Sequence, residues 1–509
     1  MRVLQIGRDD WSASARIPAG VEWVFVDAGD ASGFDRALIG RVEATIVDAP
    51  CGLDRLEAID GLIAPYTLLV ARHLLEAFGA EYERFLTRKA VVFEGMEDRQ
   101  GIIDELPRKF FAKPFGQKLE IRKTVLSPFH RAEARYEGNA YLATDVDHDG
   151  DFRQLMMWKE NILYENQRAL ELWPEYVKDP DCEIELVVQL IKSGTPDVIA
   201  HQQRYSEAEL AQPIVFSHPT SGYLSCSVYA RGRGTVRVGP IHYRHSRQGA
   251  GQFLPGGQRL VDSRREELFY YFHPGDLQPP LNIYFAGYRP AEGFEGYFMM
   301  AGLGHPFLLV SDPRLEGGRF YLGSEELEGG LRQVIRELID ALGFRDEDVI
   351  FSGLSMGSFG ALYYGSQFRA HAIVAGKPII DLGYLAERGR LVRPRDFLTI
   401  LDIVNFWDRT GEDGSPKLVS AFTQELIERW NGDPGFGDTR ILMSYMQQDD
   451  YDDAAYYTLL GSQTGKATTV IARGYQGRHN DDSPSIVTWF VNQYQRVIDE
   501  YREARDGER

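Results

Sequence analysis

VIFSGLSMGSFGALYYGSQF, residues Val349 to Phe368, sets one hydroxyl between two glycines where an apolar run passes into small residues. A serine hydroxyl is a poor nucleophile at neutral pH. It needs a base beside it and donors for the oxyanion it creates. Gly353-Leu354-Ser355-Met356-Gly357 matches G-x-S-x-G, which puts the serine on a tight strand-to-helix bend. The glycines remove Cβ atoms that would clash there. Val349 to Ser352 reads as the incoming strand, and Ser358 to Phe368 as a helix whose small face packs on a sheet. The N–H of Met356 opens that helix, where the dipole favours developing negative charge. Without those flanks, the five residues describe only a glycine-rich turn.

Such an elbow is followed in chain order by an acid and then a histidine. The acid is expected just past a later strand. Ile441 to Met446 is an apolar run of that kind, and Gln447-Gln448-Asp449-Asp450-Tyr451-Asp452-Asp453 follows it. Asp449 is the expected acid and Asp450 the alternative; most of the run reads as solvated surface. His479 is the only histidine after His371, and it falls between strand-like Thr468 to Gly474 and helix-like Pro484 to Tyr501. There it would take the Ser355 proton and return it to a leaving group while the acid holds its ring. The second oxyanion donor is expected in the loop after LNIYFAG, at the Tyr288 N–H. Arg289 beside it reads as a partner for a nearby carboxylate rather than as an anion receptor.

Around this site, residues 263–509 alternate strand-like runs (LNIYFAG, FLLVSD, VIFSG, AHAIVAG, RILMSYM, TTVIARG) with helix-like segments, as in an α/β-hydrolase-like domain. Residues 1–115 alternate in the same way, with VLQIG, VEWVFVDA, ATIVDAP, YTLLVA and AVVFEG as buried strands and one crossover helix over Arg72 to Arg84. That is the pattern of a Rossmann-like domain, but no GxGxxG follows the first strand, so no dinucleotide and no other cofactor is expected. Residues 116–262 change to short β-branched and aromatic runs between Gly, Pro and Asn breaks, a β-sandwich of jelly-roll type with one helical insertion at Asn161 to Glu175. The acidic stretch Asp145 to Asp151 fails as a calcium loop because its twelfth position is Met156, not Glu, and reads as a solvated turn; no metal is expected.

A net charge of −19 over 509 residues excludes general nucleic-acid binding, which needs a basic face. Cys51, Cys182 and Cys226 are scattered and odd in number, which suits a reducing compartment. Arg8, Asp9 and Asp10 break any signal-peptide core, and no apolar run approaches membrane-spanning length. A cytoplasmic protein is expected, reaching a membrane only through partners.

With these residues placed, RVLQIG, YFAGYRPAEGFEGYFMM, DPRLEGGRFYLGSEELE, FSGLSMGSFGALYYG, YMQQDDYD and RHN resemble, over nearly the whole chain, the second of the accessory secretion proteins of Gram-positive bacteria. The resemblance implies two roles. One is O-acetylation of N-acetylglucosamine on serine-rich repeat adhesins, through a Ser-acid-His triad that carries onto Ser355, the Asp449/Asp450 run and His479. The other is membership of the accessory Sec export complex, with two further accessory secretion proteins and a motor ATPase. A middle domain resembling carbohydrate-binding modules suits a glycan. Its aromatics, among them Trp158, Tyr223, Tyr229 and Tyr243, read first as core and second as sugar-stacking residues. A carbohydrate esterase would use the same triad and acyl-enzyme, and a non-catalytic scaffold subunit would keep the same shape.

Overall fold

The computed structural model describes residues 1–29, 36–392, 402–403, 416–463 and 465–507. The stretches 393–401 and 404–415, within the last expected domain, and its final two residues lie outside these.

Five short strands, Arg2–Gly7, Glu22–Asp27, Ala44–Val47, Leu68–Ala71 and Val92–Glu94, form a parallel sheet in the order second-first-third-fourth-fifth. Their near-continuous apolar runs are those of strands covered on both faces, and the order is that of a doubly wound sheet. The single helix expected over Arg72 to Arg84 does not form. Two 3₁₀ turns, Arg72–Leu74 and Ala80–Tyr82, lead into an α-helix at Glu83–Lys89. Gly79 is extended and interrupts the run, and Leu75 points to solvent at 53% exposure, so the helical stripe has no continuous core to face.

The middle segment departs from a two-sheet sandwich. Its ten strands join in one hydrogen-bonded network, whose axis is the 24-residue strand Gly222–His245. On one side this strand pairs antiparallel with Cys182–Lys192 and then with Leu170–Lys178; on the other it pairs with Tyr141–Trp158 and Gly116–Leu119. The partner changes around Gly232 and Gly234, whose φ values of 107° and 143° suit glycine alone. A Cβ on Gly232 would stand 2.0 Å from the Asp181 carbonyl oxygen. Leu224, Cys226, Val228 and Ala230, then Val236, Val238 and Ile241, face one core. The expected helix at Asn161 to Glu175 is instead the strands Ile162–Tyr164 and Leu170–Lys178. Pro174 has no N–H for a helix interior, and here it borders a bulge. The acidic stretch likewise lies inside the strand Tyr141–Trp158 rather than in a turn, and Arg233 reaches Asp149 at 3.0 Å and Asp147 at 3.5 Å. The three cysteines are buried free thiols.

The last sheet has eight strands: Gln258–Val261, Glu267–His273, Leu281–Phe285, Phe307–Ser311, Val349–Leu354, Ala372–Gly376, Arg440–Met446 and Thr469–Tyr475. Counted along the chain, their spatial order is 1-2-4-3-5-6-7-8, with the second antiparallel to both neighbours and strands three to eight parallel. The hairpin of the first two straddles residue 262, where a boundary was expected, and both strands belong to this sheet. The helix Glu325–Leu342 covers one face with Leu327, Leu331, Ile335 and Ile339, four residues apart, and is capped by Ser324. The helix Ser483–Gly507 covers the other with Ile486, Phe490, Tyr494, Val497 and Ile498. No helix among the described residues is long and apolar enough to cross a membrane.

Charges seal the seams. His242 sits between Glu175 at 2.8 Å and Glu292 at 2.5 Å. Burial alone would lower its pKa, but the two carboxylates hold it up, at about 10. Arg244 binds Glu267 at 2.6 Å and Glu292 at 3.3 Å, so the middle sheet grips the loop that follows Leu281–Phe285. Arg247 donates to the carbonyls of Lys109, Phe111 and Phe253 at 2.7 to 2.9 Å, while Tyr66 donates to the Phe272 carbonyl at 2.9 Å.

Candidate active site

Ser355 stands at the end of Val349–Leu354 and caps the helix Met356–Gly365. Its φ of 54° and ψ of −124° form a conformation that a non-glycine residue adopts only when its surroundings hold it there. Those surroundings are explicit. Ser355 N donates to the Gly376 carbonyl at 2.8 Å, and its own carbonyl accepts from Ser358 N at 2.9 Å and from Ser358 Oγ. Both flanking glycines are required. A Cβ on Gly353 would meet the Gly357 carbonyl oxygen at 2.2 Å, and one on Gly357 would meet the Phe285 carbonyl oxygen at 2.1 Å. The sequence packs backbone against backbone here, which aims the hydroxyl away from the sheet.

The Ser355 Oγ lies 2.8 Å from His479 Nε2, and His479 Nδ1 lies 2.8 and 3.0 Å from the two oxygens of Asp449. His479 arrives on the turn between Thr469–Tyr475 and Ser483–Gly507, and Asp449 on the turn after Arg440–Met446, so the fifth, seventh and eighth strands deliver the three groups to the carboxyl end of the sheet. His479 is 1% exposed and Asp449 5% exposed, which keeps competing water from the relay. With Nδ1–H donating to Asp449, Nε2 is left to accept from the serine hydroxyl. Asp450 does something else: its Oδ1 accepts from the His479 backbone N at 3.0 Å, and its Oδ2 from Arg478. The arrangement can generate a serine nucleophile and return a proton to a leaving group.

Around this line stand residues that no sequence pattern singles out. The Tyr451 ring crosses the His479 ring at 4.4 Å and 75°. Asp452 is buried behind Asp449 and accepts from the N–H groups of Ile380 and Asp381, each at 2.8 Å; burial raises its pKa to about 6. Lys377, at φ 50°, donates from Nζ to Ser483 Oγ at 2.9 Å, and burial lowers its pKa. Glu295 accepts from Gly287 N at 2.7 Å and so fixes the loop that carries Tyr288. A Cβ on Gly287 would stand 3.8 Å from that of Ser355, which puts this loop directly against the nucleophile. The dense DDYDD run hid Asp452 among its neighbours, and Glu295 carries no sequence signal at all.

Arg289 turns to the Phe294 carbonyl rather than to a carboxylate. Trp158 is in the core at 0% exposure, Tyr229 lies under the Arg204 guanidinium, Tyr243 donates to Gln117 Oε1 at 3.0 Å, and Tyr223 is 42% exposed. Among the described residues, no group of His, Cys, Asp and Glu side chains is arranged to hold a metal.

Strand order, elbow and relay together define an α/β-hydrolase-like fold, with Ser355 after the fifth strand, Asp449 after the seventh and His479 after the eighth. The family model described as Accessory Sec system GspB-transporter matches residues 1–503, and the chain belongs to that family. It is 38% identical to an accessory Sec system protein of Staphylococcus aureus (strain NCTC 8325 / PS 47), covering 98% of this chain and 97% of that one. It is 36% identical to its counterpart in Streptococcus gordonii, over 98% of each. A solved chain in the Glycosylation Associate Protein (Gap123) complex from Streptococcus agalactiae superposes with a TM-score of 0.89 at 32% identity, covering 98% of both chains.

Proposed function

We propose that this chain is a serine-dependent O-acetyltransferase of the accessory Sec system. It transfers acetyl groups to N-acetylglucosamine on serine-rich repeat adhesins and takes part in their export beside the other accessory secretion proteins and the motor ATPase. The relay from Ser355 through His479 to Asp449 carries this reading. Ser355 Oγ attacks the acetyl carbonyl as His479 Nε2 takes its proton. The tetrahedral oxyanion is met by the N–H of Met356 and that of Tyr288. Collapse expels the donor's leaving group, which collects the proton from His479 and leaves acetyl-Ser355. A sugar hydroxyl then attacks as His479 takes its proton, the bond to Ser355 Oγ breaks, and the serine recovers the proton. Asp449 holds the imidazole ring throughout.

Labelling by a fluorophosphonate probe demands an activated hydroxyl, so adduct at Ser355 is the expected result. Incubation with an acetyl-ester donor and the glycosylated adhesin should then add acetyl mass to the glycan. Release of acetate alone would make the protein an esterase. Ser355→Ala should abolish acetylation; retained export in that variant would make the two roles separable. Full acetylation by Ser355→Ala ends the catalytic reading.

A further inference from the structure

A cleft open to solvent lies along the seam between the middle sheet and the last sheet. Gln117 and Lys118 line one wall; Gly287, Tyr288, Glu292 and Glu316 line the other. It runs beside the elbow, because Gly287 both lines it and lies against Ser355. We propose that this seam is the acceptor subsite, in which the middle sheet holds a hydroxyl-bearing sugar so that one hydroxyl faces acetyl-Ser355; the inference rests on the acyl-transfer reading above.

The chemistry of the walls selects the class of ligand. The carboxylates of the lining are already paired: Glu316 with Lys118 at 3.9 Å, Glu292 with His242 and Arg244, and Asp312 with Arg314 at 2.8 Å. Arg289 is turned onto the Phe294 carbonyl. What the walls offer an occupant is therefore hydrogen-bonding capacity beside the one guanidinium of Arg289. Gln117 Oε1 accepts from Tyr243 OH at 3.0 Å, which orients the amide and presents its NH₂ group as a donor. The Tyr288 ring, 38% exposed, supplies an apolar face beside these polar groups. Mixed donors and acceptors around one ring face match a pyranose, which has hydroxyls at its rim and C–H groups on its faces.

The wall is also held firmly in place. The loop bearing Tyr288 is tied by Glu295 to Gly287 N and by Glu292 to His242 and Arg244, and Glu292 N donates to the Gly116 carbonyl at 2.9 Å. A strand of the middle sheet and the loop beside the nucleophile therefore share one rigid mount, as positioning of an acceptor requires.

The test uses the full chain with p-nitrophenyl acetate as donor and N-acetylglucosamine as acceptor. Nitrophenol release reports formation of acetyl-Ser355, and mass spectrometry reports acetylated sugar. The quantity read is sugar acetylated per nitrophenol released. Gln117→Ala should lower this ratio about fivefold or more, the effect of one lost hydrogen bond. Gln117→Trp, which fills the seam, should lower it further, and Tyr243→Phe, which frees the Gln117 amide, should lower it part of the way. A ratio within twofold of the unsubstituted protein in all three variants overturns the subsite. Nitrophenol release by the unsubstituted protein with no acetylated sugar also overturns it, while leaving Ser355 as the nucleophile. Absence of both nitrophenol release and fluorophosphonate labelling would remove the acyl-transfer reading and this inference with it.

Discussion

Asp452→Asn should stabilise the protein at pH 8 and bring no gain at pH 4. The Asp452 carboxyl is 3% exposed; one oxygen accepts two backbone N–H bonds, and the other has no hydrogen-bond partner among the described residues. Burial raises the pKa from 3.8 to about 6. The folded chain therefore holds a proton on this group that the unfolded chain has released, and stability falls as pH rises across that window. Two pKa units correspond to a penalty of about 3 kcal/mol, complete above pH 6 and absent below the unfolded value. An asparagine keeps an acceptor for the N–H groups of Ile380 and Asp381 and carries no charge. Its amide NH₂ replaces an oxygen that already lacked a partner, which costs about 1 kcal/mol or more. The net gain at pH 8 is then about 1–2 kcal/mol, read as a rise of several degrees in the thermal midpoint relative to the parent. The same comparison at pH 4 should show no gain. An equal shift at both pH values, or a loss of stability at pH 8, would refute the linkage.

The relay predicts an ordering of the two adjacent acids. Asp449→Asn should lower ester turnover by about 10⁴-fold, because the wrong tautomer is then held, whereas Asp450→Asn should cost far less because its bonds go to the His479 backbone and Arg478; steady-state p-nitrophenyl acetate kinetics would show the reverse order if the roles were exchanged. Gly357→Ala should abolish fluorophosphonate labelling, since the new Cβ falls 2.1 Å from a backbone oxygen that cannot yield; intact labelling would mean that the elbow relaxes around it. Arg244→Met removes the partner of Glu267, a carboxylate 0% exposed, and should destabilise by about 3–5 kcal/mol in urea unfolding. A loss under 1 kcal/mol would show that Arg259 alone suffices.

Most of what positions the site was legible because it depends on local backbone chemistry. The glycines around Ser355 announce a close approach, and the chain order of Asp449 and His479 follows from the order in which strands join the sheet. The middle segment was harder to read. A single strand such as Gly222–His245 serves two partner strands in succession, and nothing in its alternation marks where Gly232 and Gly234 change the pairing. The segment Asn161 to Glu175 mixed apolar and charged residues in a way that suits a helix, and only Pro174 argued against it. Glu295, Glu292 and Lys377 acquire their places purely from tertiary contacts among distant segments, to which hydrophobic periodicity is blind.

Arg247 bears on how a chain like this can be rearranged over time. One guanidinium closes off carbonyls from the connector at Lys109 and Phe111 and from the turn at Phe253, with the Phe111 ring 4.1 Å away. Splicing the middle segment away from the first would leave the Lys109 and Phe111 carbonyls without this donor and the guanidinium with only the Phe253 carbonyl. These two segments are thus poor cassettes: a descendant that borrowed the middle one would have to borrow the first with it or rebuild the joint.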